Sequence, residues 1–326
     1  VSRIHAAPGN LGPAKDRLAV RPGRLYDFCR RAALRERACA VWEDHHDVTR
    51  LPAACVRRQP VLCLDVVACL RAGARPNAEE VAAYRWHVDA AVADLIAGSK
   101  GQTLAAIVPI IEIGLHHEQQ HQELMLTDIL HAFSMNPTNP AYDPKWEPPL
   151  AQSDNEWAEL PQGIHHIGHH GDSFCFDNEM PRHQTLLRQG LIACGLVTNG
   201  EWLEFMADNG YTTPSLWLSD GWAKAEGEAW DAPGYWRNVD GAWFTLTLGG
   251  LKPVDPGAPV CHVSYYEADA FARWRGKHLP TEMEWEVAAN AGLLEGAFGL
   301  VWQWTRSSYA PYPGYRAAAR LPGYGA

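Results

Sequence analysis

The sequence predicts two parts of different class, a helical part followed by an α+β part. Three observations lead there. Two helical segments can be read between Asn77 and Phe133, the second with apolar positions spread widely around it. A run holding Pro137, Pro140, Pro144, Pro148, Pro149 and Pro161 follows. Beyond that run the texture changes to Trp, Gly and short mixed segments, punctuated by three helix-start signals.

In chain order, residues 1–75 carry arginine repeatedly beside one lysine, Lys15, and hold five of the eight cysteines. Apart from a short helical stretch near Leu25–Cys39 they follow no sustained apolar period, so no firm structure is assigned to them. From Asn77 the pattern sharpens. Asn77 followed by Glu80 forms a capping box, in which each side chain satisfies the other residue's backbone N–H. The helix it opens, with Pro76 just ahead, is predicted to reach Ala97 and stop at Gly98. A second helix is predicted to start near Pro109, where a missing N–H is tolerated, and to run to about Phe133. Its apolar residues Ile110, Ile113, Leu124 and Ile129 predict a helix buried within a bundle. Residues 136–162 read as an ordered connector between domains. After it, Thr198 with Glu201, Ser264 with Glu267 and Thr281 with Glu284 predict short helices over 199–208, 265–275 and 282–290. Ala242–Leu248 predicts a strand among them.

Composition narrows the function classes. With 47% hydrophobic and 20% charged residues the chain is ordinary for a globular protein, which argues against wholesale disorder. A formal net charge of -10, with no basic stripe beyond the first region, argues against nucleic-acid binding. The longest apolar stretches, Val61–Leu70 and Leu104–Leu115, are short and broken by Asp65 or by Pro109 and Glu112, so no membrane partner is expected. No apolar leader opens the chain, and the eight cysteines form no CxxC pair, so they read as reduced thiols. Both features predict a cytoplasmic protein.

The most informative run is His116-His117-Glu118-Gln119-Gln120-His121-Gln122-Glu123. On a helix, His117 and His121 stand one turn apart on one face, where both imidazoles reach one metal. Glu118 after His117 nominally completes the HExxH pattern of metalloproteases. No glycine-marked third-ligand motif follows, and neutral imidazoles suit Fe(II). The competing reading is a polar helix face whose histidines only hydrogen-bond. It must account for a polar octet interrupting a strongly apolar helix, which a metal site explains better.

The stretch from Gly114 through Leu124 to Thr127-Asp128-Ile129-Leu130-His131 resembles the HxxxHxE helix of the EgtB-type sulfoxide synthases of ergothioneine biosynthesis. Later motifs are similar to the formylglycine-generating-enzyme fold, also called sulfatase-modifying-factor-like. They are Phe176-Asp177-Asn178-Glu179-Met180-Pro181-Arg182-His183, then Pro259–Ala268 continuing in Gly276-Lys277-His278-Leu279-Pro280-Thr281-Glu282, then Val301-Trp302-Gln303-Trp304-Thr305. The order of motifs matches, and the resemblance covers roughly 76–318. It implies a DinB-like helical bundle over 76–135, incomplete here, fused to a C-type-lectin-like, formylglycine-generating-enzyme-like α+β domain over 163–318.

The chemistry implied by the resemblance is O₂-dependent formation of a carbon–sulfur bond. Hercynine would be joined through an imidazole carbon to the sulfur of γ-glutamylcysteine or cysteine, giving a sulfoxide. The cofactor would be non-haem Fe(II), with His117 and His121 as two of three protein ligands. Gln120 would face the substrate imidazole, and Glu123 would orient a ligand ring. Tyr309 and Tyr312 lie where the family carries its active-site tyrosines and would supply a proton or hydrogen atom. Cys175 and Cys261 are expected to be core or surface thiols, because the late cysteine pair of formylglycine-generating enzymes is missing.

Three departures from the family bear on this. Its first iron-binding histidine has no clear counterpart: Trp42-Glu43-Asp44-His45-His46-Asp47 is nearest, with His5 and His87 weaker. Leu300 and Gln303 stand where calcium-binding relatives carry Asn and Glu, which weakens the case for calcium. The arginine- and cysteine-rich start and the segment Ala317–Ala326 match nothing in the family, which leaves two expectations: both ends derive from a shifted reading frame, or the chain is a divergent member of the family. Two alternatives stay open, a non-catalytic remnant that only binds metal or a partner, and a relative that joins selenium to the imidazole.

Overall fold

The computed structural model describes residues 77–150 and 156–316. The expectations placed on 1–75, on His5, His45 and His46, and on Ala317–Ala326 lie outside the described residues. Within them the chain divides into two compact units, 77–122 and 123–316.

The first unit begins with helix α1, Ala78–Gly98. Its capping box is the expected one: Asn77 Oδ1 accepts from the Glu80 N–H at 3.0 Å, and Glu80 Oε2 accepts from the Asn77 N–H at 2.8 Å. Helix α2, Gly101–Ser134, contains Pro109 in its interior, so it starts two turns earlier than the sequence predicts. Residues 102–108, Gln-Thr-Leu-Ala-Ala-Ile-Val, are adequate helix formers, and continuing through the proline forfeits one backbone bond rather than the helix. Burial along α2 also differs from expectation. Ile110 and Leu124 are exposed, at 56% and 46%, while Leu130 is buried. A helix of this length leaves uncovered any apolar residue that no neighbouring element faces. Arg85 of α1 pairs with Asp89 one turn on, and its guanidinium lies 3.8 Å from Glu118 of α2.

The second unit takes in the last turns of α2. Residues 135–150 form no regular element but are tied down. The Arg237 guanidinium donates to Asn139 Oδ1 and to the Ser134 carbonyl, and the Tyr142 and Asp143 N–H groups both donate to the Leu248 carbonyl. Strand β1, Trp157–Glu159, falls in the stretch read as connector and pairs antiparallel with β4, Leu191–Ala193. Between them β2, Gly163–Ile167, pairs antiparallel with β3, His183–Leu187. The third sheet is the antiparallel meander β5, Trp236–Val239, β6, Ala242–Thr247, and β7, Gly250–Pro253.

Four helices complete the unit. All three predicted capping boxes are present, opening α3, Asn199–Ala207, α5, Tyr265–Trp274, and α6, Glu282–Asn290. Helix α4, Ser219–Gly227, was not expected; its N-cap, Leu218, makes no side-chain cap. The main core gathers Trp202 and Phe205 from α3, Ala270 and Phe271 from α5, and Tyr211 and Trp217 from the turns between α3 and α4. Trp202 stacks on Phe271 at 4.9 Å, and each such fully buried ring contributes about 2–3 kcal/mol of transfer free energy. Its polar edges are satisfied inside: the Trp202 indole N–H donates to the Tyr211 hydroxyl, which donates to Glu267 at 2.7 Å. A separate cluster of Ile167, Leu187 and Val287 sets α6 against β2 and β3 and packs against Tyr312. That cluster positions the loop considered next.

Candidate functional site

The histidine helix is built as its spacing predicts. Within the 77–122 unit the Nε2 atoms of His117 and His121 lie 3.1 Å apart, and the ring centroids are 4.4 Å apart at 76°. Both rings are partly buried, as is Gln120 beside them. A metal held at about 2.1 Å from each nitrogen would subtend roughly 95° between them, since twice the arcsine of half of 3.1 over 2.1 gives that angle. That angle would let both nitrogens reach one metal ion. The same separation also suits one N–H···N hydrogen bond between neutral rings. Glu118 faces Arg85, so it is ion-paired rather than poised as the base of a protease. Among the described residues no group of three or more His, Cys, Asp or Glu side chains forms a metal cluster.

Glu123, expected to orient a ligand ring, accepts from the Trp302 indole N–H within the 123–316 unit. In that unit also, His131 Nδ1 lies 3.3 Å from the Tyr235 hydroxyl.

The tyrosine loop follows Thr305, and its three hydroxyls have different partners. Tyr312, half-buried, donates towards Glu282 Oε1 at 3.2 Å and Glu286 Oε2 at 3.4 Å, carboxylates one turn apart on α6. Its ring meets that of His183 at 4.5 Å. Tyr315 donates to Asp177 Oδ2 at 2.9 Å. The Tyr309 hydroxyl instead accepts from Asn178 Nδ2 at 3.1 Å, and Tyr309 is 49% exposed. Glu286 also accepts the Gly168 N–H at 2.7 Å, and Ser307 Oγ accepts the Glu282 N–H at 2.9 Å. Ser307, Ser308, Glu282, His183 and Tyr312 are among the residues lining an open cleft of about 300 Å³.

Burial sets the protonation here. It pushes the Glu282 carboxyl above the usual carboxylate range, against the opposing pull of the Tyr312 hydrogen bond. Glu286 is raised for the same reason, opposed by the Gly168 N–H and Tyr312. The Tyr312 phenol is pushed up by burial and by both glutamates, so it holds its proton firmly.

Comparison with known proteins now decides the relationship. Residues 147–300 match the sulfatase-modifying factor enzyme 1-like domain. The chain is 32% identical over 182 residues to a hercynine oxygenase of Mycobacterium tuberculosis, covering 43% of this chain and 42% of that protein. It is 30% identical over 251 residues to a hercynine oxygenase of Mycolicibacterium smegmatis, covering 62% and 56%. A formylglycine-generating enzyme of Streptomyces coelicolor is 37% identical over 135 residues, 38% of this chain and 43% of that enzyme. Over these stretches the chain is similar to the hercynine oxygenases, and it carries a sulfatase-modifying factor enzyme 1-like domain. It spans about half the length of the curated relatives it matches.

Gln303 makes direct bonds. Its amide oxygen accepts the Trp285 indole N–H at 2.8 Å, and its amide nitrogen donates to the Ala297 carbonyl at 3.0 Å. Cys175, Cys194 and Cys261 are free thiols, and burial pushes Cys261 up to about 11, which keeps it protonated and unreactive. The sequence reading missed Asn178, Glu282 and Glu286 as partners of the tyrosines. Asn178 and His183 belong to a quoted motif, but nothing in its spacing says which hydroxyl they face. No helix among the described residues is long and apolar enough to cross a membrane.

Proposed function

We propose that this chain is the histidine- and tyrosine-bearing part of an iron-dependent sulfoxide synthase of ergothioneine biosynthesis. Its substrates would be hercynine, O₂ and the thiol of γ-glutamylcysteine or cysteine, and α1 and α2 would be the described portion of a DinB-like bundle. The observation that carries this reading is the convergence of His117 and His121 in a chain related to hercynine oxygenases. When bound, Fe(II) supplies the redox chemistry with O₂ and a binding position for thiolate. His117 and His121 would hold it through their Nε2 atoms, which requires both rings neutral. Gln120, on the same stretch of α2, would offer its amide to the substrate imidazole.

The proton donor we assign is Tyr309 rather than Tyr312. Tyr312 donates its hydrogen bond to half-buried carboxylates and is held protonated by them, whereas Tyr309 accepts a bond and its O–H meets no acceptor among the described residues. A rival reading is a chain that binds metal without turnover, for the pair by itself supplies two nitrogen ligands.

Iron content and O₂ uptake separate the two. The anaerobically Fe(II)-loaded chain should consume O₂ only with hercynine and thiol together. His117→Ala and His121→Ala should each weaken iron retention by at least about 100-fold, beyond what loss of an outer partner does. Robust uptake surviving both substitutions overturns the metal site. Iron retention without uptake selects the rival.

A further inference from the structure

We propose that Asn178 is a positioning residue for Tyr309, donating to the phenol oxygen so that the phenol proton stays available for transfer; this rests on the assignment of Tyr309 as proton donor above. Asn178 lies in the short 3-10 turn Asp177–Glu179, and that turn is held on both sides. Glu179 Oε2 accepts the Phe176 N–H at 2.8 Å, and Asp177 accepts the Tyr315 hydroxyl. The amide is therefore fixed before Tyr309 meets it.

Two observations set Asn178 apart from a structural amide. First, the three loop tyrosines differ in the sense of their hydrogen bonds. Tyr312 and Tyr315 donate to carboxylates, which commits their protons inward, while Tyr309 accepts from an amide donor. Second, Asn178 Oδ1 is buried and has no hydrogen-bond partner among the described residues. Leaving a buried carbonyl unsatisfied costs more than one neutral, partly exposed hydrogen bond contributes, so stability alone does not explain the residue. What the amide supplies is a neutral donor at the phenol oxygen. When the proton leaves Tyr309 as H⁺, the negative charge stays on that oxygen, facing an N–H placed for it, and water later returns the proton. No electron moves in this step. A carboxylate in the same place would draw the proton inward and repel the resulting charge.

The amide could be turned, with its oxygen accepting from Tyr309, and substitution by aspartate tells the two apart. Aspartate only accepts, so Asn178→Asp reverses the bond proposed here but preserves the turned one. The full chain, grown with ring-¹³C tyrosine, gives a Tyr309 resonance identified by its loss in Tyr309→Phe. That resonance should move in Asn178→Asp and in Asn178→Ala. In both variants kcat for O₂ uptake should fall at least about tenfold, the low end for a general-acid contribution, with KM for hercynine within about threefold. An unmoved resonance, or a moved one with kcat intact, overturns the proposal. If the unsubstituted chain does not turn over, the functional reading fails by itself, and the resonance still decides whether Asn178 holds Tyr309.

Discussion

Tyr309 and Tyr312 stand three positions apart in one loop, yet Tyr309 accepts a hydrogen bond from an amide and Tyr312 donates to carboxylates. This difference predicts opposite outcomes for the same substitution. Tyr309→Phe should lower turnover by about 100-fold, within the usual range for a lost general acid, and leave stability nearly unchanged. Tyr312→Phe should keep turnover within a few-fold but cost about 1–2 kcal/mol in urea unfolding, because Glu282 and Glu286 lose their shared donor. The reverse pattern would move the catalytic assignment to Tyr312. Gly210 makes a second residue-scale case. A Cβ there would lie 2.2 Å from the Phe205 ring, which is fully buried and cannot yield. Gly210→Ala should destabilise by about 1–3 kcal/mol in the same assay, and an unchanged midpoint would show that the core relaxes more than its packing implies. At this scale the sequence was legible for the histidines, because four residues on a helix fix a geometry. It was not legible for Asn178, since its partner lies 131 residues away and only the tertiary fold brings them together.

Elements with a local signal were read almost to the residue. Thr198, Ser264 and Thr281 each accept from the residue three positions on, and the helices they start differ from expectation by at most one residue at the far end. Helix α4 lacks such a cap and escaped notice. Strands of three to five residues, such as β1 and β3, are too short to show a period and owe their existence to a distant partner. Pro109 misled for a physical reason. Proline is at home in a first turn, and the alternative, a proline inside a longer helix, pays in a lost bond that tertiary context can override. Since Ala105 then lacks its usual N–H partner, Pro109→Ala should stabilise this part of α2, by up to about 3 kcal/mol. Hydrogen exchange of the 102–113 amides should slow accordingly. Faster exchange in the variant would mean that the proline is required for the local conformation.

For the whole molecule, the α+β domain carries an unusual load of half-buried and buried acid. Glu179, Glu267, Glu282 and Glu286 are all raised above the ordinary carboxylate range, with burial the first cause in each. A carboxyl whose folded value lies above its unfolded one binds its proton more tightly when folded. Its contribution to stability is then fully present below the unfolded value, about 4.3, and is lost as pH rises through the folded value. The net charge of -10 acts in the same direction, because self-repulsion grows as the acids ionise. Glu286 isolates the effect. Glutamine in its place imitates the protonated acid, keeping an acceptor for the Gly168 N–H. Glu286→Gln should therefore match the unsubstituted chain in urea unfolding near pH 4.5 and exceed it progressively towards pH 8, as only the carboxyl takes on charge. Two curves that stay parallel across that range would mean that Glu286 ionises as easily in the folded chain as in the unfolded one. The carboxylate pair under Tyr312 would then be solvated rather than buried, and the reason for setting Tyr312 aside as a proton donor would go with it.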